Sequence, residues 1–329
     1  MKPKVIVIVG PTASGKTALS IELAKKIDGE IVSCDSMQIY KYMNIGSAKP
    51  TVQEMQGIKH YMIDFLEPNE RFSVADYKRN AEKSIDEILN KGKIPIVVGG
   101  TGLYADSLIY NIEYNEIEYD EEFRKEQEKI AMTETGLKML YEKAMKIDKE
   151  ACEKISPNDK KRIIRILEIY NSTGKTKTEQ EAESRKNEPK YDYRVFAIDI
   201  KREILYDRIN RRVDIMLEQG LIEEVESILK KCDKFPTAMQ AIGYKEVVEY
   251  LRKIEVYRQN EENRADSYIK ENEKICYKEM KEKIKQETRR YAKRQLTWFR
   301  KNKEIIWLDG LADMQNNINI ILEEINWRM

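Results

Sequence analysis

The sequence predicts an α/β fold, a parallel-sheet core flanked by helices and interrupted by a mainly helical insertion. Three observations carry this expectation. A β-branched run from Val5 to Val9 ends at Gly10-Pro11, the pattern of a strand covered on both faces. Further short apolar runs alternate with helically spaced segments, as a parallel sheet requires. The stretch 111–190 carries little strand pattern and separates two parts of that alternation.

Taken in order, the first helix spans Lys16 to Ile27, where Leu19, Ile21, Leu23, Ala24 and Ile27 fall largely on one face. A second strand fits Glu30 to Cys34. Ser73, with Asp76 three residues on, marks the start of a helix from Val74 to Leu89. After the break Lys91-Gly92-Lys93 comes a third buried strand, Ile94 to Val98. The insertion opens with an acidic run from Glu113 to Glu128 and ends in the polar segment Ser172 to Pro189. Beyond it, strands are predicted at Arg194 to Ile200 and Ile305 to Leu308, with helices at Ile204 to Gln219 and Ile222 to Lys231 between them. The charged stretch from Arg252 to Lys285 has helical spacing and reads as a solvated hairpin or an extended helix pair. The chain thus divides into 1–110, the first part of the core; 111–190, the insertion; and 191–329, the rest of the core with a charged extension and a basic tail.

Composition narrows the partners. Lys and Arg total 59 against 58 Asp and Glu, a net charge of +1, so a polyanion has to be held by a local patch. Cys34, Cys152, Cys232 and Cys276 form no CxxC pair and fit neither a disulfide framework nor a zinc site. The longest apolar run, Val5 to Val9, is too short for a membrane span or a signal-peptide core. A soluble, cytoplasmic protein is expected.

Gly10-Pro11-Thr12-Ala13-Ser14-Gly15-Lys16-Thr17 matches G-x-x-x-x-G-K-[ST] and sits between a strand and a helix, where a P-loop belongs. Its backbone amides would cradle a di- or triphosphate, Lys16 would place a charge on it, and the Thr17 hydroxyl could ligate Mg²⁺. Such a loop selects a phosphate but not a reaction. Asp35-Ser36-Met37-Gln38 and Gly99-Gly100-Thr101-Gly102 follow the next two strands, and ligands in open α/β sheets gather beyond the strand carboxyl ends. On spacing alone, Asp35 reads either as a metal-binding acid of Walker B type or as a turn residue. The Thr101 segment reads as a tight turn or a substrate contact. Asp199 also imitates a Walker B acid, and the single histidine, His60, reads as structural.

These motifs occur together with Ile45-Gly46-Ser47-Ala48-Lys49-Pro50, Pro157-Asn158-Asp159, Arg208-Ile209, Arg211-Arg212, Ala241-Ile242-Gly243-Tyr244 and the run Thr288 to Arg300. The set is similar to the tRNA dimethylallyltransferases, over nearly the whole chain. That resemblance implies a P-loop NTPase-like core and prenyl transfer from dimethylallyl diphosphate to the exocyclic N6 of the adenine at tRNA position 37, 3′ of the anticodon. It implies Asp35 as general base toward that amine, Thr101 as its hydrogen-bonding neighbour, and Lys16 and Arg212 on the departing diphosphate. By itself Arg212 reads as a solvated position on the basic turn with Arg208 and Arg211. The resemblance further implies that Gln38 and Thr101, with Ser36 and Met37 beside them, meet the flipped nucleotide. Arg124, Asn158, Asp159, Arg162 and Arg165 of the insertion would contact the anticodon stem-loop. ATP binding, Mg²⁺ dependence and a monomer without an obligate protein partner are family expectations.

The segment Lys285 to Lys303 supplies the local patch, with eight basic residues, Arg290 and Arg294 among them, against the single acid Glu287. Tyr291, Trp298 and Phe299 are interleaved, so it reads as a phosphate-neutralising, base-stacking surface or as a solvated amphipathic helix. Three other functions compete. A P-loop kinase would need a lid arginine, and no lid motif is present; a prenyltransferase for free adenine nucleotides has less need of a basic tail; a nucleotide-switched RNA-binding protein leaves Asp35 without chemistry.

Overall fold

The computed structural model describes residues 2–114, 120–232, 234–259 and 266–325. The acidic run from Glu113 to Glu128 and the charged stretch from Arg252 to Lys285 each lie partly outside them. The chain forms two compact units, one of 1–108 with 190–329 and one of 109–189.

The first unit begins with β1 (Lys4–Val9), α1 (Lys16–Ile27) and β2 (Gly29–Cys34). Apolar residues of β1 and β2 are buried on both faces because helices cover the sheet on both sides. A single helical turn, α2 (Val52–Met55), leads to β3 (His60–Tyr61), an edge strand of two residues that no sequence pattern announces. The next helix, α3 (Val74–Asn90), opens with the capping box expected from Ser73 and Asp76, each side chain bonding the other's backbone amide. Strand β4 (Ile94–Gly99) follows, then α4 (Gly102–Ile109).

The second unit contains α5 (Glu121–Ile130), α6 (Glu134–Ile147), α7 (Lys149–Glu153), α8 (Lys160–Thr173) and α9 (Lys177–Ser184). Its core is built on Leu140, Ala144, Ile163, Ile166 and Leu167, apolar positions spaced at three and four along α6 and α8.

The first unit resumes with β5 (Asp192–Asp199), α10 (Arg202–Glu218), α11 (Leu221–Leu229), α12 (Tyr244–Gln259), α13 (Asp266–Phe299), β6 (Ile306–Asp309) and α14 (Met314–Glu324). Strand β5 ends at Asp199, one residue short of the predicted Ile200. The expected solvated pair is more than solvated. Cys276, Met280, Ile284, Ala292 and Phe299 are buried along α13, and Met280 and Ile284 pack in one core with Val247 of α12 and Val225 of α11.

All six strands are parallel, in the order β3-β2-β4-β1-β5-β6. Three adjacent strands, β2, β4 and β1, therefore end on one edge of the sheet, and the segments after them share that edge. The approach of β4 to β2 is close enough to exclude a side chain at Gly99, where a Cβ would sit 2.0 Å from the Cys34 carbonyl oxygen. Neither strand can yield, since both are paired over their length. Gly99→Ala is expected to cost about 3 kcal/mol or more of stability, the upper range for overpacking a rigid core. Thermal unfolding followed by circular dichroism reads this, and a melting point equal to wild type would show that the strands part freely.

Candidate functional site

The loop from Gly10 to Gly15 closes β1 and opens α1. Gly15 lies at φ 95° with nothing within 4 Å of where a Cβ would stand, so glycine is required there by backbone conformation alone. Ala13 takes φ 63° despite its Cβ and is held by packing against Ile200, Leu205, Ile209 and Ala292. No side chain caps α1: Gly15 occupies the cap position and leaves the first amides of the helix without a side-chain partner. Ser14, 3% exposed, has a hydroxyl with no hydrogen-bond partner. A concave loop with uncapped amides, an unpaired buried hydroxyl and a lysine is a cradle for an anionic oxygen cluster.

Lys16 turns back on this loop and donates to the Pro11 carbonyl at 2.6 Å. Burial, then the nearby Arg212 guanidinium, push its ammonium down to about 7, against the opposing pull of Asp35. Arg212, half-buried on α10, is itself lowered by burial. The solvated position that sequence alone suggests for Arg212 is therefore incorrect. Lys16 and Arg212 lie close enough to repel each other, and a strongly negative ligand would relieve that repulsion.

Asp35 follows β2. Its Oδ1 accepts from the Met37 amide at 2.8 Å and the Gln38 amide at 3.3 Å, a turn that leaves the other oxygen to point elsewhere. Burial raises its pKa above the ordinary carboxylate value, and these two amides and Lys16 offset only part of that rise. Thr101 follows β4. Its amide donates to the Cys34 carbonyl at 3.1 Å and its Oγ1 accepts from the Ser36 amide at 3.0 Å, with Ser36 Oγ at 3.4 Å. Asp35, Ser36 and Thr101 are thus tied into one corner. Cys34 completes it from behind, its thiol 3.7 Å from the Thr101 carbonyl and pushed up to about 12 by burial. An un-ionised thiol makes Cys34 a packing residue.

Gln38 is spent within the protein: its Oε1 accepts from Ser33 Oγ at 3.2 Å and its Nε2 donates to the Ala48 carbonyl at 3.2 Å. It anchors the turn after Met43, and the motif from Ile45 to Pro50 has a structural origin there. Glu224 of α11 accepts from the amides of Asn44, Ile45 and Gly46 and from the Tyr244 hydroxyl at 2.6 Å. A Cβ on Gly46 would lie 2.4 Å from the Tyr244 ring. Glu224 carries no sequence signal, because its partners are an exposed-looking loop about 180 residues away.

Arg290 pairs with Glu287 at 2.6 Å and Arg294 lies 5.6 Å over the Tyr291 ring; both are exposed, as are Lys293, Arg300 and Lys301. In the helical unit Arg162 and Arg165 are exposed, while Asp159 caps α8 by accepting from the Arg162 amide at 3.2 Å. Asn158 is exposed before that cap. Arg124 is the least available of the set, held by Glu128 at 3.0 Å and by the buried Glu168 at 3.1 Å. His60 sits on the edge strand with Nδ1 2.9 Å from the Ile58 carbonyl. Asp199 pairs with Arg300 at 3.4 Å. Among the described residues no three His, Cys, Asp or Glu side chains gather to hold a metal, and no helix is long and apolar enough to cross a membrane.

Comparison with known proteins shows the family. A family model described as IPP transferase matches residues 38–302. The tRNA dimethylallyltransferase of Acetivibrio thermocellus is 51% identical over 306 residues, covering 93% of this chain and 91% of that one. That of Caldanaerobacter subterraneus subsp. tengcongensis is 49% identical over 311 residues, covering 93% and 92%. The crystal structure of a tRNA isopentenylpyrophosphate transferase from Staphylococcus epidermidis superposes with a TM-score of 0.67 at 41% identity, covering 99% of this chain and all of that one. A eukaryotic dimethylallyltransferase captured acting on tRNA gives a TM-score of 0.76 at 30% identity, over 99% of this chain and 80% of that one.

Proposed function

Because the chain belongs to the IPP transferase family, we propose that it transfers a dimethylallyl group from dimethylallyl diphosphate to N6 of the adenine at tRNA position 37, 3′ of the anticodon, and releases diphosphate. The observation that carries this reading is the corner made by Asp35, Ser36 and Thr101 beside a phosphate cradle, on three neighbouring strand ends. A phosphoryl-transfer enzyme could use the same cradle and carboxylate; the relatives at 51% and 49% identity, both tRNA dimethylallyltransferases, favour prenyl transfer.

An aromatic exocyclic amine is a weak nucleophile because its lone pair is delocalised into the ring. As its nitrogen bonds the allylic carbon, the carbon–oxygen bond to diphosphate breaks and the amine proton moves to the Asp35 carboxylate, which lowers the barrier. Raised basicity at Asp35 suits that role. Thr101 holds the Ser36 amide and keeps the corner in shape. The leaving diphosphate is met by the uncapped amides of α1, the Ser14 hydroxyl, Lys16 and Arg212. Mg²⁺ fits a site of this kind, where the exposed Thr17 hydroxyl beside the diphosphate would help to hold it. When bound, it would supply positive charge beside the leaving group.

For chemistry at N6 the adenine has to leave its stack and enter the corner of Asp35 and Thr101. Arg290, Lys293 and Arg294 along α13 are placed to neutralise phosphates, with Arg162 and Arg165 of the helical unit as further RNA contacts. Incubation with dimethylallyl diphosphate, Mg²⁺ and unmodified tRNA, followed by digestion and mass spectrometry of the nucleosides, is expected to show a prenyl increment on adenosine. Modification of free AMP in preference to tRNA would move the reading to a nucleotide prenyltransferase; modification of neither would remove it.

A further inference from the structure

Gln295 of α13 is 5% exposed and spends both ends of its amide on two loops of the first unit. Its Oε1 accepts from the Thr12 amide at 2.9 Å, and its Nε2 donates to the Gly100 carbonyl at 2.9 Å. Those partners determine the amide's orientation, since the donor end must meet a carbonyl and the acceptor end an N–H. The two loops end adjacent strands, β1 and β4, paired as far as Val9 and Gly99. One is the phosphate cradle and the other carries Thr101.

The helix face around Gln295 repeats the same attachment. Trp298, one turn on, donates from Nε1 to Asp106 at 3.0 Å, and a Cβ on Gly102 would lie 2.4 Å from its ring. Tyr291, one turn back, reaches the Thr101 side chain. Gly100 is what admits the amide, for a Cβ there would stand 2.1 Å from Nε2. The exposed surface of this helix bears Arg290, Lys293 and Arg294.

We propose that Gln295 is a positioning residue: by bridging Thr12 and Gly100 it sets the separation between the phosphate cradle and the Thr101 corner, and so aligns the departing diphosphate with the attacking amine. It is buried with both ends of its amide bonded within the protein, so it acts on the rate of transfer and not on affinity. The activity arm of its test rests on the transferase reading above.

The experiment compares full-length wild type, Gln295→Met and Gln295→Glu in single-turnover transfer from dimethylallyl diphosphate to unmodified tRNA. Binding of inorganic pyrophosphate and of tRNA, thermal melting, and hydrogen exchange at the Thr12 amide are measured alongside. Gln295→Met removes both bonds at nearly constant length. Its transfer rate is expected to fall about 30- to 100-fold, the scale of a misplacement near 1 Å, with both affinities within about threefold of wild type. Gln295→Glu supplies a titratable rescue. Protonated, its hydroxyl donates to Gly100 and its carbonyl accepts from Thr12; ionised, it sets a carboxylate against the Gly100 carbonyl. Burial raises that carboxyl group, so the Glu-to-wild-type rate ratio is expected to climb as pH falls from about 8.5 to about 6, while the Met-to-wild-type ratio stays flat.

A purely structural role would move melting and both affinities and give no pH-dependent rescue, which overturns the proposal. So does a Gln295→Met enzyme that transfers at the wild-type rate. If wild type itself transfers nothing, the transferase reading fails and the Thr12 amide decides. Protection lost in Gln295→Met and kept in Gln295→Glu at low pH supports the bridge; unchanged protection in both overturns it.

Discussion

Asp35→Asn is expected to lower prenyl transfer about 10²- to 10⁴-fold, the usual contribution of a positioned general base, while the protein stays at least as stable as wild type. The amide can keep the acceptor bonds from Met37 and Gln38 but cannot take the proton of the amine. The stability half follows from linkage. Burial holds the folded-state pKa of Asp35 above its ordinary value of 3.8, so protonation favours the folded state. The ionised side chain therefore costs stability at pH above the folded-state pKa, and that cost disappears as pH falls below the unfolded value. Asparagine removes it, so the variant's melting point at neutral pH is expected to equal or exceed that of wild type. For activity the sign is opposite. Wild-type transfer falls as pH drops through the raised pKa, because the base must be ionised. Rates in a pH series, with melting curves on both proteins, check the two halves together; a variant that retains the wild-type rate would assign Asp35 to the turn alone.

Lys16→Met has the second large effect, with transfer expected to fall about 10²- to 10³-fold, as when one charge-stabilising donor at a reacting centre is removed. It also changes a proton balance. Burial and Arg212 hold Lys16 down to about 7. A diphosphate placed there favours the ammonium, so binding draws a proton from solvent wherever free Lys16 is neutral. At pH about 8 the wild type is expected to take up to about one proton more per pyrophosphate than Lys16→Met, and this difference vanishes well below pH 7. Calorimetry in buffers of different ionisation heat measures it, and equal uptake by the two proteins would mean that Lys16 is already charged before the ligand arrives. The linked stability effect is that the lowered lysine costs folding free energy below its unfolded value of 10.5, in full below about 7. Lys16→Met is thus expected to melt higher than wild type at neutral pH while losing its activity.

Neither variant is expected to lose stability with its function, because burial penalises the charged forms of Asp35 and Lys16 that the reaction uses. Asp35 is held above its normal pKa, Lys16 below, and Arg212 below, all by burial first.

Features written in short-range pattern were legible in the order of the amino acids. Strand β1, the loop from Gly10 to Thr17, helix α1 and the capping box at Ser73 each span a few residues whose turn chemistry, apolar period and side-chain length settle the local backbone. The parallel order of strands followed from the alternation of those elements, and it placed Asp35 and Thr101 on one edge. Tertiary structure alone decided the rest. A two-residue edge strand at His60 and Tyr61 is too short for any period to register. Glu224 and Gln295 look like ordinary polar helix positions until their partners arrive from 178 and 195 residues away. Arg212 reads as solvated until α10 meets the cradle, and Lys16 is an ordinary lysine until it is buried beside that guanidinium. The dividing line is physical: backbone geometry and amphipathic period depend on near neighbours along the chain, whereas desolvation, charge proximity and the pairing of buried amides depend on neighbours that only folding supplies.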